Sequence, residues 1–321
     1  MSYGMRSRIG IDRQDSGDVA VADSMHWVSV LDESIGQDKP ALMAEGMRGI
    51  YDEGAVYEGP NVVPGEINAE ANPISLGVFL RAIMGAETLA TSGALVTHTW
   101  EPRAADFDAL YAGDPLTIHK HVDDAGSGTN FYDMVANEFE LSISHGELLK
   151  MRLGLVGGKR SQIAPLAASY PSGKVWTWNQ GSMQLGGNAI GTLRSLTYKQ
   201  TEQIEPMHTL DGSLDPSRFK RTGYREIALD GVMVYDNQDQ YQDFLAQTEQ
   251  AFKVNWRGST EVQSGYYDEL TIDVPLFRFG EFKPAAGGPG KIEVSFSGKG
   301  VYSVDSATGV RFTLQNTHPE Y

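Results

Sequence analysis

Residues 137–144 read Asn137-Glu138-Phe139-Glu140-Leu141-Ser142-Ile143-Ser144, which puts Phe139, Leu141 and Ile143 on one face of a strand and Glu138, Glu140, Ser142 and Ser144 on the other. A period of two with one apolar face marks a sheet that is dry on one side and wet on the other. Met151, Leu153 and Leu155 repeat the alternation after the turn-prone Gly146-Glu147, so the two segments form a hairpin. Upstream, residues 61–70 read as a short strand with a bend or bulge signal at Pro64-Gly65 and a break at Asn72-Pro73. Ile74, Leu76, Phe79, Leu80, Ile83 and Met84 then form the buried stripe of a helix, which Gly85 stops.

The same order returns later. Residues 225–234 alternate as a strand, and Tyr241, Phe244, Leu245 and Thr248 follow at helical spacing within residues 237–251, with Asp239 and Asp243 favourable early in a helix. Residues 252–257 and 267–273 read as strands, with Pro275 ending the second or marking an edge. Residues 291–298 place Ile292, Val294 and Phe296 opposite Glu293, Ser295 and Ser297, and residues 301–304 and 310–314 read as a closing hairpin. Between the halves, residues 157–173 read as a linker, residues 174–179 as a strand with Trp176 and Trp178 on one face, and residues 192–205 as another strand. The expected architecture is mainly β: a sandwich or partial barrel, duplicated, with short flanking helices. It divides into an acidic N-terminal arm over residues 1–60, a first β unit over 61–160, connecting strands over 161–205 and a second β unit over 206–321.

The chain has 321 residues with 42 Asp and Glu against 26 Lys and Arg, a formal net charge of −16. That balance opposes tight, sequence-specific binding of nucleic acid, whose affinity rests on phosphate attraction, but it suits a wall past which nucleic acid slides. Zero Cys excludes disulfides and thiolate metal sites. No apolar run nears 18 residues, and residues 1–32 lack a signal-peptide pattern, so the expectation is a soluble protein made in the cytoplasm. From Asp12 to Glu70 there are thirteen acidic and three basic residues, a partly mobile arm or one that orders on a neighbouring subunit through Met25, Trp27, Met43 and Met47.

Signatures of chemistry are thin. His119 and His121 share a strand face without a third ligand, and read as surface histidines rather than a metal site. Asp211, Ser213 and Asp215 open like a calcium loop, but Pro216 breaks it and a turn fits better. Residues 154–161 lack the glycine and hydroxyl residue that a phosphate loop needs. His145 with Glu147 or Ser142 supplies no convergent acid–base set. Trp176 with Trp178, or Tyr266 with Tyr267, could offer a platform for sugar rings, the alternative being packing inside a sheet protein. No residue is assigned to catalysis, to a cofactor or to a metal.

The layout resembles the tail tube proteins of long-tailed, siphophage-type bacteriophages. The likeness rests on residues 62–70, Asn72-Pro73, the helix over residues 74–85, residues 139–145, the strand and helix over residues 223–251, and the closing block from Lys291 through Phe312-Thr313-Leu314-Gln315-Asn316-Thr317. It implies a non-enzymatic virion subunit, made in the host cytoplasm, whose rings close a shared β-barrel and stack into a conduit for double-stranded DNA. The implied partners are further copies of the chain, a tape-measure protein, and tail initiator and terminator proteins, with no membrane. Two folds per chain would make the ring a trimeric pseudo-hexamer; one elaborated fold would make it a hexamer. Candidate lumen-facing residues are Glu138, Glu140, Ser142 and Ser144 with Glu293, Ser295 and Ser297, the alternative being an exterior surface. Competing readings are a distal tail or decoration protein, a carbohydrate-binding module and, less favoured, an enzyme.

Overall fold

A computed structural model describes residues 6–17, 19–21, 25–46, 52, 54–122, 126–236, 238–284 and 291–321. In chain order the strands are β1 (Arg8–Arg13), β2 (His26–Val28), β3 (Val30–Glu33), β4 (Ala41–Met43), β5 (Val56–Glu58), β6 (Val63–Glu70), β7 (Thr88–Ser92), β8 (Leu95–Trp100), β9 (Leu116–His121), β10 (Gly128–Ser144) and β11 (Lys150–Gly157). They continue as β12 (Lys159–Ile163), β13 (Gly181–Leu185), β14 (Asn188–Ala189), β15 (Leu193–Thr201), β16 (Ile204–Met207), β17 (Arg218–Arg221), β18 (Glu226–Val234), β19 (Gln250–Gln263), β20 (Tyr266–Phe282), β21 (Glu293–Val301) and β22 (Arg311–Asn316). The helices are α1 (Pro73–Met84) and α2 (Asp239–Ala246). The chain is mainly β, 54% strand and 8% helix, in large antiparallel sheets consistent with a β-sandwich.

Eight strands form the broadest sheet, in the order β3-β6-β11-β10-β15-β18-β21-β20, every neighbour antiparallel. The 17-residue strands β10 and β20 are long enough to serve two sheets each. The first half of β10 pairs with β9 and β12, and the first half of β20 with β19 and β22. β22 carries on to β8 and β7, and among the described residues no pairing returns from β7 to β3, so one chain makes an open sandwich and not a closed barrel.

The dry faces meet over aromatic rings. Phe312 of β22 packs edge-on against Tyr198 of β15 at 5.1 Å and Phe139 of β10 at 6.0 Å between ring centroids, and all three are buried. α1 begins at Asn72, whose side chain accepts the Ile74 N–H, and ends at Gly85 with φ +96°, which favours glycine. The expected stripe is there, and Val78, Ala82 and Gly77 are buried too, so α1 is covered on more than one side, by β10, β22, β2, β20 and β8. α2 is shorter than expected and has no fully buried residue; Asn237, its expected start, lies outside the described residues.

Several local expectations are corrected. Pro64-Gly65 is not a bend: β6 runs straight through it, and Gly65 leaves room for Ile35, whose side chain would lie 2.6 Å from a Cβ there. Pro275 does not end β20, because it falls where the strand changes partner from β22, last paired at Asp273, to β21, first paired at Leu276, so no ladder needs its missing N–H. Residues 301–304 and 310–314 form no hairpin ladder; β22 instead joins β20 and β8, leaving a single bridge between Ser303 and Thr308. Residues 174–177 are not a strand, and a 3-10 turn holds Trp178. Between α1 and β9, β7 and β8 pair as a further hairpin. Within the acidic arm, β1 pairs with β9 and buries Ile9 and Ile11, while Trp27 and Val28 are also buried. Deleting residues 1–38 would therefore remove paired strands.

Three buried or half-buried histidines set a pH dependence. Burial holds His26, His119 and His318 below the usual histidine value; Asp12 opposes this at His26 and a hydrogen bond to Asn130 opposes it at His119, while His26 and His98 lower His318 further. The folded state thus favours the neutral ring, and its advantage is full above the unfolded value near ~6.5 and lost as pH falls through the lowered folded values. The histidines' contribution should lower the melting temperature on acidification from pH 7 to pH 5, against the raised carboxyls of Asp133, Asp230 and Asp268, which act in the opposite sense. The drop should be smaller in His119→Leu, and an unchanged pH profile in that variant would count against the assignment.

Candidate functional site

Both sequence-predicted sets of wet residues lie on one face of the eight-stranded sheet. Residues directly opposite each other across a ladder point the same way. One row runs Glu140, Lys199, Ala228, Lys299; the next Ser142, Thr197, Asp230, Ser297; and the next Ser144, Ser195, Val232, Ser295. Glu138 lies opposite Thr201 and Gly154, and Glu293 opposite Val234. Residues separated by more than 150 positions in sequence are thereby placed on one surface.

That surface is ion-paired and not simply acidic. Arg152 of β11 reaches Glu66 at 2.9 Å, Glu140 at 3.0 Å and also Glu138, and Lys199 reaches Glu138 at 2.7 Å. Burial works against the charge of Arg152, but Glu138, Glu140 and Glu66 outweigh it and raise its pKa. Asp230 is shifted up, by burial first and then by Glu140, with Lys199 opposing. The acidic balance of the whole chain therefore does not carry over to this face as bare negative charge. Cations held by carboxylates lose much of their pull on phosphate, leaving a hydrated surface of balanced charge and hydroxyls.

The other candidates do not converge. His119 and His121 are buried rather than on the surface, and His119 Nδ1 lies 2.7 Å from Asn130 Oδ1. Asp123 and Asp124, the next acidic residues along the chain, lie outside the described residues, and no metal-holding cluster occurs among those described. Asp211 and Ser213 form turns, Asp211 accepting the Ser213 N–H and Ser213 Oγ the Asp215 N–H. Trp176 is buried while Trp178 is 44% exposed and tilted over His145 at 4.2 Å, so the indoles form no shared platform. Tyr267 lies under Arg257, 4.4 Å from the ring centre, and its neighbour Tyr266 points to the other face. Neither helix is long and apolar enough to cross a membrane.

Two features escaped the sequence reading. The β4–β5 hairpin pairs Leu42 with Tyr57 and Met43 with Val56, and these four side chains are 53–61% exposed. Met43 is expected to meet a neighbouring subunit together with Met47, which lies outside the described residues. The second feature is the carboxylate of Glu202, buried beneath Arg221 at 2.5 Å and Arg225 at 2.6 Å, with Gln200 donating at 2.6 Å. Apolar residues within an acidic, Gly-containing segment were the signal for the first, but nothing local marks the second.

A broad ion-paired sheet face, open strand ends and an exposed apolar hairpin define a scaffold subunit, built from extended surfaces. The model of the phage tail tube protein family matches residues 4–300, and the chain belongs to that family. No curated protein sequence matches it. It is thus a structural protein of the bacteriophage virion tail.

Proposed function

We propose that three copies of this chain close into a ring, that rings stack into the tail tube, and that the face carrying Glu138, Glu140, Ser142, Ser144, Glu293, Ser295 and Ser297 lines the conduit for double-stranded DNA. The observation that carries this reading is the eight-stranded sheet with one mostly polar face and two open ends. Its pairing order repeats: β6-β11-β10 in the first half is matched by β18-β21-β20 in the second, each set preceded by the same kind of added strand, β3 or β15. Each chain then supplies two tube folds, with the division near residues 161–205.

Geometry favours three copies. At ~4.8 Å per strand and a tilt of about 40°, twenty-four strands enclose a backbone ring ~48 Å across, and side chains narrow it to roughly 35 Å. A duplex about 20 Å wide passes through that bore. Eight strands alone would close to about 16 Å, a space side chains fill. Assembly on a tail initiator around a tape-measure protein, with a terminator above, completes the proposal. Concentrated protein should form open tubes in negative-stain micrographs, and a dispersed monomer at every concentration would sink the reading.

The β4–β5 hairpin is the candidate ring-to-ring clamp within the acidic arm, since β1 and β2 are already paired inside the chain. Covering an exposed Leu or Tyr recovers about 1.5–3 kcal/mol each at full burial. Leu42→Ser with Tyr57→Ser should leave the melting temperature within about 2 °C, since neither side chain packs in the core, and raise the concentration needed for tubes by at least ~10-fold. Tubes forming at the wild-type concentration would exclude the hairpin as the clamp.

A further inference from the structure

The β6–β11 ladder pairs residues 63–70 with 157–150, and the β18–β21 ladder pairs 227–234 with 300–293, eight rungs in each. Laid over one another, Val63 falls on Ile227, Met151 on Val294 and Leu153 on Phe296, every one of them buried. The irregularities then coincide as well. β10 carries an extra residue at Asn137 and β20 at Gly280, 143 positions on. β3 carries one at Leu31 and β15 at Arg194, 163 positions on, and the lone bridge of Asp38 with Val62 falls on the pair Thr201 and Glu226. β3, continued to Asp38, is therefore the counterpart of β15, and β20 is the counterpart of β10.

Inside the chain β10 and β15 are joined, from Glu138 opposite Thr201 to Ser144 opposite Ser195. Their counterparts are not: among the described residues the outer edge of β3 has no partner, and β19 leaves β20 at Phe277. We propose that the edge of β20 at Gly280–Lys283 pairs antiparallel with residues 36–39 of a second copy of this chain, in the register of the internal joint. Glu281 lies opposite Asp38, Phe282 opposite Gln37 and Lys283 opposite Gly36. The joint rests on the ring-forming reading above for its occupant.

The backbone is arranged for it. Asp38 exchanges both hydrogen bonds with Val62 and Gly36 donates to Pro64, so the N–H and C=O of Gln37 between them face outward. Phe282 stands where Phe139 stands, and Gln37 where Gln200 does. Lys39 N–H meets Gly280 C=O as Glu202 N–H meets Asn137 C=O within the chain, at 2.8 Å. One residue further, the edge is capped: Ile35 donates to Glu33 at 3.0 Å and accepts from Lys120 at 2.8 Å, the two side chains forming an ion pair. Pro284, which comes opposite Ile35, has no N–H to offer. The cap leaves a short joining site open and protects the free subunit from indiscriminate edge pairing. An even number of antiparallel strands per chain lets identical copies join end to end without a parallel pair.

The absence of native Cys makes the register measurable by cross-linking. Asp38→Cys with Glu281→Cys places thiols at a pair whose backbone bonds point away from the joint, with Cα atoms ~4.5 Å apart, within disulfide range. Both positions are exposed, so the fold should tolerate the change. Glu138→Cys with Thr201→Cys reports the same geometry within one chain. Gln37→Cys with Glu281→Cys puts the thiols on opposite faces. Oxidised assemblies of the first variant should give covalent species ending at three chains on a non-reducing denaturing gel, at least ~10-fold more than the Gln37→Cys pair. Tubes visible by microscopy with only single chains on the gel, or equal cross-linking by both pairs, would overturn the joint and leave the ring reading standing. Protein that neither cross-links nor forms rings would overturn both.

Discussion

Glu202→Ala is expected to lower the unfolding free energy by about 3–5 kcal/mol, because it leaves two largely buried guanidinium groups without their shared carboxylate. The Glu202 side chain is 2% exposed and holds Arg221 and Arg225, with Gln200 donating from its own strand and Tyr198 Oη donating on to Gln200 at 2.7 Å. Arg225 also donates to the Arg103 carbonyl at 2.8 Å, so losing the carboxylate loosens the segment near residue 103 as well. The carboxylate's own worth is smaller than this figure; most of the loss comes from stranded charge. Urea unfolding measures it directly. Glu202→Leu combined with Arg221→Leu and Arg225→Leu should lose less than Glu202→Ala alone, whereas a larger loss in the triple variant would show that the network stabilises through its bonds.

Phe312→Ala should cost a similar ~3–5 kcal/mol, for a different reason. Phe312 is fully buried and holds the two sheets together where Phe139 and Tyr198 meet it. Removing the ring leaves a cavity between layers whose spacing is fixed by long ladders on both sides, so it collapses poorly. Phe312→Leu should recover much of the loss. If Phe312→Ala melts within a degree or two of the parent, the sandwich interface does not sit where these rings place it.

Much of this fold was legible because alternation is local. The strands around Phe139, Leu153, Leu229 and Phe296 and the helix after Asn72-Pro73 follow from side-chain period and capping alone. Pairing is not local. Nothing near Arg311–Asn316 says that β22 will bridge β20 and β8, and the apparent loop at residues 305–309 pointed to a nearer partner. Pro275 misled for the same reason: its cost depends on which neighbour needs an N–H, a fact of topology. The wet face was half legible. Glu138 to Ser144 and Glu293 to Ser297 announced themselves by alternation, but Arg152 and Lys199, which decide its charge, lie on other strands and come into reach only once the register is known.

The central claim is that three chains close one twenty-four-stranded ring with the ion-paired face inward, eight strands coming from each chain. A cryo-electron microscopy map of the assembled tube at side-chain resolution tests it most directly. The map should show three chains per ring, β20 against β3 of the next copy, and Glu140, Ser142 and Ser297 facing the bore. Six chains per ring, or the same face turned to the outside, would contradict it.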